Sequence, residues 1–279
     1  MLRQRVMTAV ALLALLAVVL GSGSLLAFHL TLAVFFGAAC WESFVLLRLR
    51  PALPLAVAGG VLLLLLASGA PSGWTPLATL CVLIWALRFV PALKLGLPSD
   101  EGARGLLFAA VFFLALLGCF IAIDVLFQRS PVFLVSVMAI VWVADIGAYF
   151  AGRAFGRRKL APTISPGKSW EGVIGGWLAV LLLAAASSAV PALQDSFAPV
   201  LLRQVGWPVW VLLMSLLVAA SVVGDLFESL MKRRAGVKDS GKLLPGHGGV
   251  LDRIDALIPV MPLALLLSSL TSSLPSSHP

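Results

Sequence analysis

Nine stretches of this chain are too long and too apolar to lie on the surface of a water-soluble fold. They run over about 6–22, 25–46, 52–70, 76–93, 105–123, 131–151, 172–190, 207–229 and 256–273. A helix that crosses the hydrocarbon core needs roughly 20 mostly apolar residues. Backbone N–H and C=O groups in lipid must be satisfied within the chain, so runs of this length predict helices, not strands. Composition agrees, with 61% of 279 residues apolar and only 11% charged, where a soluble domain carries roughly a quarter. The expected fold is all-α, a polytopic integral membrane helix bundle of about nine transmembrane helices. The first and third runs are the weakest of the nine. Met1-Leu2-Arg3-Gln4-Arg5 followed by an apolar run has the outline of a signal peptide, but it lacks an A-x-A-like cleavage site. It is expected to stay as the first membrane helix. Cys40, Cys81 and Cys119 stand in apolar stretches without metal-ligand spacing, which predicts buried small residues and no cysteine-held zinc.

The net charge of +8 raises the question of nucleic acid, and its distribution answers it. With the N-terminus placed in the cytoplasm, 18 of the 20 lysines and arginines fall on the inner side, and only Arg129 and Arg203 fall outside. That bias is the positive-inside pattern. It turns the basic charge toward anionic lipid head groups and nucleotides, with no nucleic acid among the expected partners. Most of the cationic charge, with the Gly, Pro, Ser and Asp punctuation, lies in two inner loops, about 152–171 and 230–255. The expected organisation is 1–104 as N-terminal transmembrane helices and 105–279 as a C-terminal catalytic region carrying both loops. The Ser- and Pro-rich stretch from Ser268 is expected to be a frayed tail.

The second loop, with the helix end before it, concentrates chemistry. Between Ser229 and Asp255 stand Lys232, Arg233, Lys238, Asp239, Lys242, Gly246, His247, Gly248, Gly249, Asp252 and Arg253. Lysines and arginines supply fixed positive charge for phosphates. Glycines let the backbone come close to a ligand and turn N–H groups toward an anion. Asp239, Asp252 and Asp255 are hard oxygen donors suited to Mg²⁺. Just before the loop, Asp225, Glu228, Ser229 and Lys232 share one helix face by spacing, and an ionisable group near the inner end of a span is a functional candidate. The ordinary alternative is a salt-bridge network that only anchors the loop.

The first loop opens inside span six. Asp145, Tyr149 and Arg153 stack at i, i+4 and i+8, and Asp145 must face the bundle interior or a wet cavity. Ser165-Pro166-Gly167 is expected as a turn that would hold Lys168 in place. Gly167-Lys168-Ser169 resembles a P-loop only superficially, because the glycine that motif needs earlier is replaced by Pro162. Glu171 reads equally as a site neighbour or a helix N-terminal charge. His29 reads as a hydrogen-bonded core histidine, and Glu42 as a partner between helices that could also approach the site.

These residues resemble the signatures of the phosphatidate cytidylyltransferases (CDP-diacylglycerol synthases). The resemblance is carried by the Ser-x-x-Lys-Arg start at Ser229, the Lys238-Asp239 pair and the Pro245-x-His247-Gly248-Gly249-x-x-Asp252-Arg253-x-Asp255 end. Gly147-Ala-Tyr149, Gly152-Arg153-x-Phe-Gly and Ile164-Ser165-Pro-x-Lys168 carry it further. Together the two segments cover about a fifth of the chain, and the helical frame from about 105 onward fits too. Ser169 stands where relatives often have Thr, and Leu244 where many have Phe.

The resemblance implies transfer of CMP from CTP to phosphatidic acid, giving CDP-diacylglycerol and pyrophosphate. It implies Mg²⁺, with K⁺ a candidate second cation, and a homodimer. It places the protein in the bacterial inner (plasma) membrane, multi-pass, with the site facing the cytoplasm. Carried over, Asp225 and Asp252 are the metal carboxylates. Lys232, Arg233, Lys238 and Arg253 meet phosphate oxygens, and Lys168 and Arg153 meet the lipid phosphate or pyrophosphate. Asp239 is grouped with them, and His247 is a positioning donor. Asp145, Tyr149, Ser165, Ser229, Gly248, Gly249 and Asp255 complete the substrate cradle. Rival readings are a CDP-archaeol synthase, a CTP-dependent polyprenol kinase, or a transporter using Asp145, Glu42 and Asp225. The transporter is disfavoured by charge clustered in loops and by the lack of a repeat. The D-G-x-x-A-R cluster of phosphatidyltransferases is absent from the sequence.

Overall fold

A computed structural model describes residues 2–67, 71–99 and 101–272. The tail beyond 272, with His278, and the end of the third apolar run at 68–70 lie outside the described residues. The nine apolar runs become helices α1 (Leu2–Gly21), α2 (Leu25–Leu46), α3 (Ala52–Ala67), α4 (Thr75–Leu95), α5 (Gly102–Arg129), α6 (Pro131–Phe155), α7 (Trp170–Ser187), α8 (Phe197–Ala235) and α9 (Leu251–Leu270). Among the described residues seven of them, α2 and α4 to α9, are long and apolar enough to cross a membrane. The other two, α1 and α3, offer shorter apolar stretches, Val6–Gly21 and Ala52–Ala67. The fold is an all-α polytopic membrane bundle, as the apolar runs predict.

Local chemistry explains the departures from regular helix. In α4 the turn Trp85–Phe89 is a π-helix, and the Val90 N–H reaches back to Trp85 O. Pro91 follows directly and has no N–H to bond the Leu87 carbonyl, so the ladder must shift there. The apolar pattern starts this span at about 207; the chain is helical from 197, so α8 starts about ten residues early. It breaks at Gly206, where φ is +70°, a backbone state only glycine adopts cheaply. Helix α9 opens with a separate turn, Leu251–Ile254, before Asp255 and Ala256.

Inside the first inner loop lies a feature the apolar pattern does not show. Strands β1 (Lys159–Ala161) and β2 (Ser165–Ser169) pair antiparallel, Lys159 with Ser169 and Ala161 with Ser165. The turn closes with Ile164 N–H donating to Ala161 O at 3.2 Å.

Two seams hold the bundle. Phe89, Phe108, Phe112 and Phe227, with Trp85 beside them, form one aromatic cluster joining α4, α5 and α8, with Phe89 and Phe227 centroids 4.4 Å apart. The α6–α7 hairpin packs backbone on backbone. A Cβ on Gly147 would come within 2.9 Å of Ala179 Cβ, and one on Gly172 within 2.9 Å of Ala148 O. Small residues are how membrane helices approach this closely when no hydrophobic drive favours contact. Gly176 meets the Ala144 carbonyl more tightly still. A Gly176→Val variant is therefore expected to lose about 1–3 kcal/mol of stability, read as a lower thermal midpoint in detergent, whereas Leu182→Val on the exposed face of α7 leaves it unchanged.

The C-terminal ends of α2, α6 and α8 and the N-terminal ends of α7 and α9 meet at one end of the bundle. That convergence positions everything below.

Candidate active site

Helix α6 delivers Asp145, Tyr149 and Arg153 along one face, as their spacing predicts. They line a cavity of about 480 Å³ with Gly167, Lys168, Ser169 and Asp225. The β-hairpin places Lys168, whose Nζ lies 2.6 Å from Asp225 Oδ2. Two ties hold the hairpin. Ser169 caps α7 by accepting from Gly172 N–H at 3.2 Å, and the Glu171 carboxylate accepts from the Arg157 and Arg158 amides. Glu171 is thus a structural tie between loop and helix start. Asp145 and Asp225 are close enough for their charges to repel, with Lys168 and Arg253 opposing that repulsion. The Tyr149 hydroxyl accepts from Arg153 at 3.4 Å. Ser165 opens β2 and does not line the cavity.

One turn further along α8 is a second cluster. Lys232 Nζ contacts Glu228 Oε2 and lies 2.6 Å from Asp252 Oδ1. Asp252 Oδ2 accepts from the Ser240 amide (2.9 Å) and the Gly249 amide (2.8 Å), with the Ser240 hydroxyl oxygen 3.0 Å away. Ser229 donates to Asp225 at 3.3 Å, so the shared face of Asp225, Glu228, Ser229 and Lys232 is real. Gly248, at φ +83°, lets the loop fold back so that its carbonyl accepts from the Leu244 amide at 2.9 Å. Asp255 Oδ1 accepts from the Ala256 amide at 2.7 Å, just before the main run of α9.

The remaining expected residues divide into held and unheld groups. Arg233 donates to Ile164 O at 3.2 Å, pinning the hairpin turn to α8. Lys238, Asp239, Lys242 and Arg253 are exposed and form no ion pair or side-chain hydrogen bond among the described residues. His247 Nδ1 is buried without a hydrogen-bond partner.

Glu42 and Ser240 are the residues the loop pattern does not single out. Glu42 belongs to the N-terminal helices, yet its Oε2 accepts from the Ser240 hydroxyl at 3.0 Å and the Leu251 amide at 2.8 Å. The one sequence signal was a carboxylate near the inner end of an apolar run. By contrast His29 lies near the other end of α2, paired with Asp124 at 2.8 Å, and Gln128 donates to the same carboxylate. It is the hydrogen-bonded core histidine the sequence suggests.

The donor chemistry can be tested against a divalent metal. Two ammonium groups stand on carboxylate oxygens, Lys168 on Asp225 and Lys232 on Asp252, and each marks a position that favours a cation. Among the described residues no three His, Cys, Asp or Glu side chains converge at ligand spacing. Mg²⁺ characteristically takes one or two carboxylates and completes its shell with substrate phosphates and water. Asp225 and Asp252 are each a carboxylate of that kind, and they stand in two separate charged clusters.

Fold and site define a polytopic helical membrane protein with a pocket of acidic and basic side chains at one end of its bundle. The chain belongs to the cytidylyltransferase family, whose family model matches residues 3–271. It is 52% identical over 130 residues to a phosphatidate cytidylyltransferase of Haemophilus influenzae, covering 46% of this chain and 43% of the relative. It is 52% identical over 129 residues to one of Pseudomonas aeruginosa (46% and 44%), and 40% identical over 154 residues to one of Bacillus subtilis (55% and 53%). The chain spans about half the length of the curated relatives it matches.

Proposed function

We propose that this protein is a phosphatidate cytidylyltransferase of the bacterial inner membrane, acting at the cytoplasmic face. The observation that carries the reading is the 480 Å³ cavity, in which Asp145, Asp225, Lys168 and Arg153 meet at the end of an otherwise apolar bundle. Such a pocket takes an anionic head group while acyl tails stay in lipid. The relatives that share the segment bear the name of that activity.

In the proposed reaction a phosphate oxygen of phosphatidic acid attacks the α-phosphorus of CTP. A new O–P bond forms, the bond to the β-phosphate breaks, and pyrophosphate leaves with the electron pair. The nucleophile is already an anion, so no strong general base is needed. The difficulty is charge crowding, which fixed cations relieve and positioning makes affordable. Lys168 and Arg153 receive the lipid phosphate or the pyrophosphate. The unpaired Lys238, Lys242 and Arg253 gather the triphosphate, and His247 orients it. Asp225 and Asp252 would hold Mg²⁺, which neutralises phosphate charge when bound. K⁺ is the proposed second cation, and a homodimer the proposed assembly.

The test is purified protein in detergent with CTP, phosphatidic acid and Mg²⁺, followed by mass measurement of the products. CDP-diacylglycerol with pyrophosphate is the expected outcome. CDP with a phosphorylated lipid would instead assign the kinase reaction, and no nucleotide-dependent product would remove the reading.

A further inference from the structure

The structure assigns Glu42 a role in the reaction as the positioning residue of the 240–252 loop, acting through Ser240 and Leu251. This rests on the proposed cytidylyltransferase reading.

The reasoning starts from a cost. Glu42 sits on α2, far from the loop in sequence, and is 2% exposed. A carboxylate is buried only when something compensates its desolvation. No cation touches it among the described residues; the loop supplies the partners of Oε2, while Oε1 is buried without a hydrogen-bond partner. Oε2 accepts from the hydroxyl of Ser240, where the loop begins, and from the amide of Leu251, where it ends. One oxygen therefore closes a ring of about ten residues. The loop is shaped around that side chain, because a Cβ on Gly241 or Gly249 would overlap the Glu42 carboxylate. Glycine at both places is what admits the clamp.

What the clamp positions is the second charged cluster. The hydroxyl that meets Glu42 also lies 3.0 Å from Asp252 Oδ2, and the Ser240 and Gly249 amides converge on that same oxygen. Asp252 in turn holds Lys232. Removing Glu42 leaves each group in place chemically but frees the loop ends that aim them. The segment it closes includes Lys242, His247 and Gly248, three of the residues proposed to cradle the triphosphate. The N-terminal helices thus supply a part of the site that they do not chemically enter.

The role requires a hydrogen-bond acceptor and not a negative charge, which separates it from metal binding. Glu42→Gln keeps an acceptor oxygen; Glu42→Ala does not. In the full-length protein in detergent, Glu42→Ala is expected to speed hydrogen exchange of the 240–251 amides by about tenfold or more, with α6 amides unchanged. The KM for CTP rises about tenfold while kcat stays within about threefold. Glu42→Gln restores both to within about threefold of the parent. Ser240→Ala alone is expected to reproduce part of the Glu42→Ala effect on loop exchange, since Glu42 then keeps only its Leu251 contact. A simple loss of folded enzyme would lower kcat at constant KM instead. The assignment is overturned if Glu42→Ala leaves loop exchange unchanged, or if Glu42→Gln is as impaired as Glu42→Ala. Should the alanine variant fail to fold, Glu42→Gln and Ser240→Ala still decide by exchange. Hydrogen exchange does not depend on turnover, so protein inactive with CTP would refute the reaction and leave the clamp to be judged separately.

Discussion

Asp225→Asn is expected to reduce CTP-dependent CDP-lipid formation by about 10² to 10³-fold while the protein stays folded. The carboxylate stands on the cavity wall beside Asp145, and Lys168 lies on it at 2.6 Å. Asparagine keeps the shape and loses the charge. Two consequences follow. The proposed Mg²⁺ site loses a charged oxygen, and Lys168 loses the partner that aims it. Stability should change little, because Asp225 lines an open cavity and gives up no apolar packing. The variant is checked by initial rates across a magnesium titration, with the thermal midpoint measured in parallel. Near-normal turnover at all magnesium concentrations would remove Asp225 from the metal and phosphate chemistry.

Lys232→Met is expected to act first on stability. Lys232 is the cation between Glu228 and Asp252, whose side chains are only 1% and 5% exposed. Removing one partner of a buried ionic group while the others remain leaves uncompensated charge, at a cost of about 3–5 kcal/mol. Methionine retains much of the volume, so the loss reports charge and not a cavity. Glu228→Gln added to Lys232→Met should recover part of it, because the stranded charge is then reduced. The pair is read from thermal midpoints in detergent. Equal midpoints for the parent and Lys232→Met would show that the lysine is not holding the cluster together. Activity falls in both variants, since Asp252 loses the neighbour at its Oδ1.

The difference between these variants shows how the two acidic groups divide the work. Asp252 has one oxygen held by two backbone amides and the other by Lys232, so it shapes the loop. Asp225 carries fewer bonds and opens to the cavity. Both follow the same sequence logic, of carboxylates among lysines and glycines, and that logic did not separate them.

Much of the site was legible before any coordinates. The i, i+4, i+8 stack of Asp145, Tyr149 and Arg153 and the shared face of Asp225, Glu228, Ser229 and Lys232 depend only on helical period, and both stand in the structure. Arg233 read as a phosphate ligand by type, but its Nε is engaged by the Ile164 carbonyl. A side chain's charge is written in the sequence, whereas its nearest acceptor is not. The β1–β2 hairpin was hidden for a related reason. Its strands are short and polar, and their pairing is set by a turn and by the α6 and α7 ends that flank it.

The sequence by itself determined the solvent, the helices and the chemical character of the two loops. Long apolar runs have one low-energy way to satisfy their backbone in lipid, and charges shun its interior, so these properties follow from local composition. Tertiary structure alone decided that Glu42 closes the loop, that Lys168 reaches Asp225, and that Lys232 bridges Glu228 and Asp252. Each contact joins groups whose distance in space is set by how helices pack, through glycines such as Gly147 and Gly176 whose absent side chains allow the close approach. No periodicity along the chain encodes that distance.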